Sequence, residues 1–502
     1  MKALIVCGCL ALGGLSLQAG TYELTSFPGG SDSWDALDWN LLSGTGGVYP
    51  DAGDTILNIN DSDTARSIAL NGDRTVAALG KTATGKAIRF LNTNNQNNLL
   101  KVEGDLSVTA GTYVFRSANN GRLSVEMENL VLGQTTTTGT NTASVTLADG
   151  AGYRNVSFTV SGTTTFQGYS GRLEVRGGAT AADTHIHLGV VVFDLPAIEG
   201  SISAGIVGIQ GGALIGATGL QTTERNARGY INGVDESKGE EGIATLQLDG
   251  DTGAYDFDIQ LNYGLRLEKT GSSLQVLSRN AGNSYTGGTL VTGGALAIRN
   301  TGSSSSGLGT GAVEVSGSGI LAGTGRVALA AGNAVTVKAG GVIAPGEDNR
   351  LLNPETPAFQ TLTFNGVNQS ANETPILDMQ EGASFLFRVD ATGASDRISF
   401  INYKTGGLLL DEGGITVNIL GELSEGVLYT LMDFSTGSGL EEGLSMGSGF
   451  EGYTATFHYD DAAFGGAGKI TMTVAAVPEP GALGLLLLGG LAGLAATRSK
   501  RD

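Results

Sequence analysis

The residues closest to a metal-binding pattern are Asp183-Thr-His185-Ile-His187. In an extended strand alternate side chains share a face, so one carboxylate and two imidazoles would project together. Such donors suit zinc or a related transition metal, although strand residues facing solvent explain the same spacing, and the metal assignment stays a weak candidate. Three other strings carry the letters of catalysis. Gly443-Leu-Ser-Met-Gly447 has the form of a nucleophile elbow, Asp460-Asp461 offers paired carboxylates of the kind glycosidases use, and Gly309-Thr-Gly311 is a fragment of a phosphate loop. The elbow and the phosphate loop need a strand running into a helix, and no helix is predicted around either. A polysaccharide lyase would set a base among clustered acids in a groove, and the spacing locates none. No catalytic residue and no cofactor is assigned.

The elements available to position these residues are strands. The chain has 81 Gly in 502 residues, 16% charged residues and 40% hydrophobic ones. That is too little Ala, Glu, Lys and Leu for a helical protein, yet enough apolar content to build a core. Alternating runs such as Leu100-Lys-Val-Glu103, Leu123-Ser-Val-Glu126, Leu173-Glu-Val-Arg176, Leu265-Arg-Leu-Glu268 and Phe385-Leu-Phe-Arg388 recur between Gly, Asn and Asp turns. They predict half-buried strands throughout, hence an all-β fold. The net charge is −20, and more negative still without Lys2 and the tail beyond Pro480. Such a surface argues against nucleic acid as a partner and would repel an anionic polysaccharide unless divalent cations bridge the two.

An internal repeat decides the expected architecture. Leu290-Val-Thr-Gly-Gly-Ala-Leu296, Glu314-Val-Ser-Gly-Ser-Gly-Ile-Leu321 and Thr336-Val-Lys-Ala-Gly-Gly-Val-Ile343 align on Val291, Val315 and Val337, at separations of 24 and 22. Each unit reads strand, Gly turn, strand. A period in the low twenties suits one coil of a β-solenoid, whose apolar face is buried by stacking on its neighbours. Gly293-Gly294 and Gly340-Gly341 are the expected corners. Leu267-Glu-Lys-Thr-Gly-Ser-Ser-Leu274, Asn283-Ser-Tyr-Thr-Gly-Gly-Thr289 and Gly293-Gly-Ala-Leu296 resemble the autotransporter-associated β-strand repeat, with Ser272-Ser273 where that family usually has a Gly. The resemblance covers about residues 265–346. It implies a right-handed parallel β-helix and no particular activity.

The two ends read as export signals. Lys2 followed by the apolar run Ala3–Leu17 and by Leu17-Gln-Ala19 predicts a signal peptide cleaved by signal peptidase after Ala19. Cys7 and Cys9 both lie inside it, so the mature chain would have no disulfide, thiol nucleophile or Cys-based zinc site. At the other end Val477-Pro-Glu-Pro480 precedes the uncharged run Gly481–Ala496 and the basic tail Arg498, Lys500 and Arg501. As a helix that run is just short enough to be a marginal span, with its C-terminus inside by the positive-inside bias. Gly489 and Gly493 form a GxxxG, the pattern of a helix-docking face, although a Gly-rich apolar segment more readily produces such a pair by chance. This tail resembles the PEP-CTERM sorting signal. The resemblance implies recognition of Pro478, Glu479 and Pro480 by an exosortase, a membrane cysteine transpeptidase of Gram-negative bacteria that make exopolysaccharide. It also implies transient residence in the inner membrane.

The expected organisation is a signal peptide at 1–19, an N-terminal β-solenoid region at 20–264, the repeat at 265–349, closing β rungs with a cap at 350–475 and the sorting signal at 476–502. Ser33-Trp-Asp-Ala-Leu-Asp-Trp39 is read as a hydrophobic plug on the first rung rather than a sugar platform. Tyr49–Asp54 is read as the turn into the first coil, and Gln221–Gly242 as a polar loop leaving the solenoid. A C-terminal translocator barrel is not expected, because 353–474 is too short for about a dozen spanning strands. The function expected is a structural or adhesive component of the cell envelope or extracellular polysaccharide matrix, with a polysaccharide lyase or hydrolase on the same scaffold as the alternative.

Overall fold

The computed structural model describes residues 19–477 apart from 25–30, 38, 45–46, 48, 60–65, 83–86, 94, 118–120, 134–142, 148–155, 169–170, 177–184, 196–203, 208–212, 224–228, 235–241, 304, 347–358, 367–374, 403–406, 412–413, 435–442 and 461–467. Apart from the 3-10 turn Trp34–Ala36, the regular secondary structure of the described residues is all β-strand, and most pairings are parallel, each strand lying against the one a coil later. One face of the coil is carried in turn by Asn98–Val108, Leu123–Gly133, Val156–Val160, His185–His187, Leu214–Ala217, Ala244–Leu248 and Leu265–Lys269. It continues through Thr289–Val291, Val313–Val315, Val335–Val337, Leu377–Met379 and Leu408–Leu410. A second face includes Thr163–Gln167, Val190–Asp194 and Gly219–Thr222, and later Leu274–Leu277, Ala295–Ile298, Ile320–Gly323 and Val342–Pro345. A third face runs from Arg66–Ala69 to Gln260–Asn262 and resumes from Arg326–Val327 to Leu428–Phe434. This is the pattern of a β-solenoid.

Alternation explains the core. On the first face Leu100, Val125, Phe158, Ile186, Ile215, Leu246, Leu267, Thr289, Val313, Val335, Leu377 and Leu408 follow one another in register. All twelve are buried. The one polar member, Thr289, is satisfied by the Tyr285 hydroxyl at 2.6 Å. Stacked rings extend the same ladder logic, with Phe166 on Phe193 at 4.7 Å and Phe400 on Phe434 at 4.7 Å. Burying each Val, Leu or Phe contributes about 1.5–3 kcal/mol. The repeat expected from sequence pairs residue for residue, with Val291 against Val315 and Val315 against Val337.

Where the strand ladder breaks, buried amides replace it. Among the described residues no strand lines the third face between Gln260–Asn262 and Arg326–Val327. There Asn283 Oδ1 accepts from Leu261 N while its Nδ2 donates to Gly307 O, at 3.0 and 2.7 Å. Asn300 Oδ1 likewise accepts from Arg326 N at 2.8 Å. On the second face Gln275 bonds both backbone groups of Leu220, at 2.9 and 3.0 Å. An unpaired buried amide or carbonyl would cost about 1–3 kcal/mol, so these side chains hold the coil closed at its corners.

Both ends depart from the parallel stack. The first rung begins earlier than expected: Thr21–Leu24 already pairs in parallel with Thr55–Ile59, so the Asp51–Asp54 turn leads into the second rung. Antiparallel Asn40–Ser43 covers the outer side of Thr21–Leu24. Trp34 and Trp39 are both buried with ring centroids 5.0 Å apart, and their indole nitrogens donate to Pro50 O and Trp34 O. They plug the end, as expected, and are not available to stack on a sugar. At the other end Gly468–Ala476 pairs antiparallel with Leu428–Phe434 on one side and Tyr453–Asp460 on the other. The Tyr459 hydroxyl of the outer strand accepts from Leu444 N at 3.1 Å. A second correction concerns Gln221–Gly242. Within it Gly229–Asn232 is a third-face strand with Ile231 fully buried, because a coil must still cross that face to close. Among the described residues no helix is long and apolar enough to cross a membrane, and the expected span Gly481–Ala496 lies outside them.

Corner glycines give a direct test. Gly340 has φ +78°, and a Cβ there would fall against the Gly317 carbonyl oxygen, whereas Gly332, at φ +82°, has open space. Gly332→Ala should cost only the left-handed penalty of about 1–2 kcal/mol. Gly340→Ala should cost clearly more, because the rungs must separate. Thermal unfolding of the two variants checks the order.

Candidate functional site

His185 and His187 sit on one first-face strand with their side chains outward, as the period of two requires, while Asp183 lies outside the described residues. The two imidazoles do different things. His185 is exposed. His187 reaches across Gly216, the in-register residue of the next rung, where a Cβ would strike its ring. Its Nε2 lies 3.2 Å from Asp249 Oδ1, and its Nδ1 accepts from Gly189 N at 3.3 Å. Neutral His187 therefore carries its proton on Nε2, and both ring nitrogens are engaged. Among the described residues no group of three or more His, Cys, Asp or Glu side chains is placed to hold a metal ion.

The described residues of the other strings lie in strands and turns. Ser445 lies on the short strand Leu444–Met446 and its hydroxyl donates to Ile415 O at 3.0 Å. Asp460 ends the outer strand of the cap, opposite Lys469, and Asp461 lies outside the described residues. Gly309, with φ +68°, packs on Tyr285 in a turn between strands, with no helix beside it. The sorting residues Pro478, Glu479, Pro480, Arg498, Lys500 and Arg501 also lie outside the described residues. Ala19 is the first residue inside them. Next to it Gly20 N donates to Asp54 Oδ1 at 2.6 Å, and both residues are buried.

Stacking brings together residues that are far apart in sequence. On the outside of the first face Lys101, Glu126, Thr159, His187, Gly216, Gln247 and Glu268 form one in-register column. Two open clefts lie along it. The first, about 360 Å³, is lined by Lys101, Glu103, Glu126, Glu128, Thr159 and Ser161. It sets one base among three acids on consecutive rungs, an arrangement that sequence spacing did not disclose. The second, about 490 Å³, has Gly287, Gly288, Gly311 and Ala312 in its floor and Arg266, Glu314, Asn333 and Lys338 at its rim. Its two cations are neutralised, Arg266 by Glu268 at 2.9 Å and Lys338 by Glu314 at 2.7 Å.

Two lysines sit inside the coil. Lys81 is fully buried and donates to Ile59 O at 3.1 Å, and Lys269 is fully buried and donates to Gly271 O. Burial lowers each to about 8, for Lys269 against the opposing pull of Asp251 and Asp249. An amine with so low a pKa is a potential nucleophile, but neither is open to a substrate. They are core residues whose stems fill the coil and whose heads tie off a corner.

Comparison of the chain with protein-family models and with curated proteins gives no match.

The buried lysines predict how stability depends on pH. The fold disfavours the protonated form, so the folded pKa lies below the unfolded one. The penalty is fully present below about 8 and disappears as pH rises toward 10.5. Stability should therefore rise between those values. Lys269→Met should raise the unfolding midpoint at pH 7 and flatten the dependence above pH 8 in thermal scans.

Proposed function

We propose that this chain is an exported structural or adhesive protein of the cell surface or extracellular polysaccharide matrix. In this reading it is a right-handed parallel β-helix, delivered through signal peptidase and then an exosortase. The observation that carries the reading is the in-register stack through Val291, Val315 and Val337, built from the segment that resembles autotransporter passenger repeats. A stack buried by its own neighbours makes a stiff body with wet faces, which suits a matrix component. Right-handed connection between parallel strands is the strong general preference.

One observation at the N-terminal end supports the reading of signal-peptide removal. The first rung starts two residues beyond the expected cleavage point, with Gly20 N seated on buried Asp54. After cleavage at Ala19 that nitrogen would be an ammonium, and the hydrogen bond a buried ion pair. Breaking such a pair from one side costs about 3–5 kcal/mol. Asp54→Ala should therefore lower the unfolding midpoint more in a chain beginning at Gly20 than in one with residues retained before it. Mass spectrometry of surface-extracted protein tests the other end: loss of Arg498–Asp502 is expected, and its retention would refute sorting through Pro478, Glu479 and Pro480.

A polysaccharide lyase or hydrolase is the second reading, and one observation favours it: Lys101 among Glu103, Glu126 and Glu128 in a cleft across consecutive rungs. Incubation with a panel of uronate and neutral glycans separates the two. Reproducible product formation that disappears in Lys101→Ala would establish the enzyme and displace the structural role.

A further inference from the structure

Among the described residues two that are not glycine adopt a left-handed backbone, Asn402 at φ 63° and Tyr263 at φ 64°. Asparagine tolerates that region because its short polar side chain can bond locally, whereas tyrosine has no such compensation. Core packing does not explain the strain, since Tyr263 is 44% exposed. A strained aromatic held out in solvent points to a use outside the fold.

The tyrosine stands at the corner of the larger first-face cleft. It precedes the strand Leu265–Lys269, and its carbonyl accepts from Thr286 N of the next rung at 2.8 Å. Thr286 lines the cleft, which crosses four successive strands from Leu265–Lys269 to Val335–Val337. At about 4.8 Å per rung that is a trench of roughly 14 Å. Ile243, 48% exposed, overhangs one end of the floor, with its Cγ2 2.7 Å from where a Cβ on Gly287 would stand. Half-buried Leu290 adds a second aliphatic surface inside. The polar groups are balanced in sign: Arg266 is paired with Glu268, and Lys338 with Glu314. The Asn333 amide, which donates to Thr310 O at 2.9 Å, borders the far side.

We infer that this cleft, with Tyr263 and Ile243 at its corner, is a binding groove for a neutral, hydroxyl-rich polysaccharide. This deepens the matrix reading and rests on it. A sugar ring presents a CH face that an exposed aromatic or aliphatic side chain covers. Around that face it carries hydroxyls that both donate and accept, which suits paired acids and bases beside an amide. The Gly287, Gly288 and Gly311 floor, without side chains, lets an extended chain lie close to the backbone. A polyanion would have to break both ion pairs and approach a body of net charge −20. A peptide adding as a strand needs an open sheet edge, and each of the four strands is already paired on both sides.

The test is binding of the secreted full chain, in chelator, to an immobilised β-glucan, a mannan and a galactan, with polygalacturonate as the anionic control. At least one neutral glycan should bind in preference to polygalacturonate, with little dependence on salt. Tyr263→Gly should weaken that binding by roughly tenfold while the unfolding midpoint stays or rises, because glycine relieves the left-handed strain. Tyr263→Phe should retain binding. Ala312→Gln, which fills the exposed floor without touching the core, should weaken it as well. A lowered midpoint for Tyr263→Gly would make the tyrosine a structural corner and overturn its role in binding. Full binding by Ala312→Gln overturns the groove, as does preference for polygalacturonate or binding only with added calcium. Failure of every glycan to bind also overturns it. The matrix reading is judged separately, by whether the unaltered chain is recovered from the cell surface and its polysaccharide or only from inside the cell.

Discussion

Parallel pairing in register, repeated from coil to coil, is the constraint on which the rest of this structure depends. Side chains alternate with a period of two, so a slip of one residue would turn the inward column from Leu100 to Leu408 out to solvent. Every other feature serves that register. Glycines with positive φ, such as Gly294 and Gly340, let the backbone turn where the preceding rung leaves no room for a Cβ. Asn283, Asn300 and Gln275 hold the coil together where its strands lapse. The ends need different solutions, because a parallel stack has an exposed edge at each terminus. An indole pair and an antiparallel strand cover one end, and a pair of antiparallel strands closes the other.

The same register creates surface chemistry. Residues separated by 20 to 40 positions become neighbours, and each outward column is a mosaic assembled one residue per coil. The Lys101 cleft arises in this way and requires no loop or domain junction. A protein built like this can vary its outer columns while the inner ones stay apolar, so binding and stability are separable along each strand. His187 shows the reverse coupling: its imidazole crosses to Asp249 only because Gly216 offers no side chain in between.

Much of the fold was legible because its strongest signals are local. The Val291, Val315 and Val337 units declare themselves through a nearly constant spacing and Gly corners, and they pair as read. The N-terminal rungs were harder. Their first-face strands pair at offsets such as 25, 33 and 28, as Leu123 with Asn98, Leu123 with Val156 and Ser157 with His185 show, so no period stands out. Gly229–Asn232 was hidden among charged residues, although Gly-Tyr-Ile-Asn alternates correctly around Ile231. The buried lysines had a signal in their parity: Leu267-Glu-Lys269 puts Lys269 on the side of Leu267. The Lys101 cleft had none, because Lys101 and Glu126 become neighbours only through register.

In the proposed reading the stack supplies stiffness and faces, and the segments 1–19 and 476–502, which resemble export and sorting signals, carry it to its place and keep it there. The central claim is that Pro478, Glu479 and Pro480 decide where the stack is held. Immunogold labelling of intact cells expressing the chain, compared with a Pro478→Ala/Glu479→Ala/Pro480→Ala variant, addresses it most directly. The account predicts surface label for the unaltered chain, and retention of the variant at the inner membrane with little label outside. Equal surface label for both would contradict it.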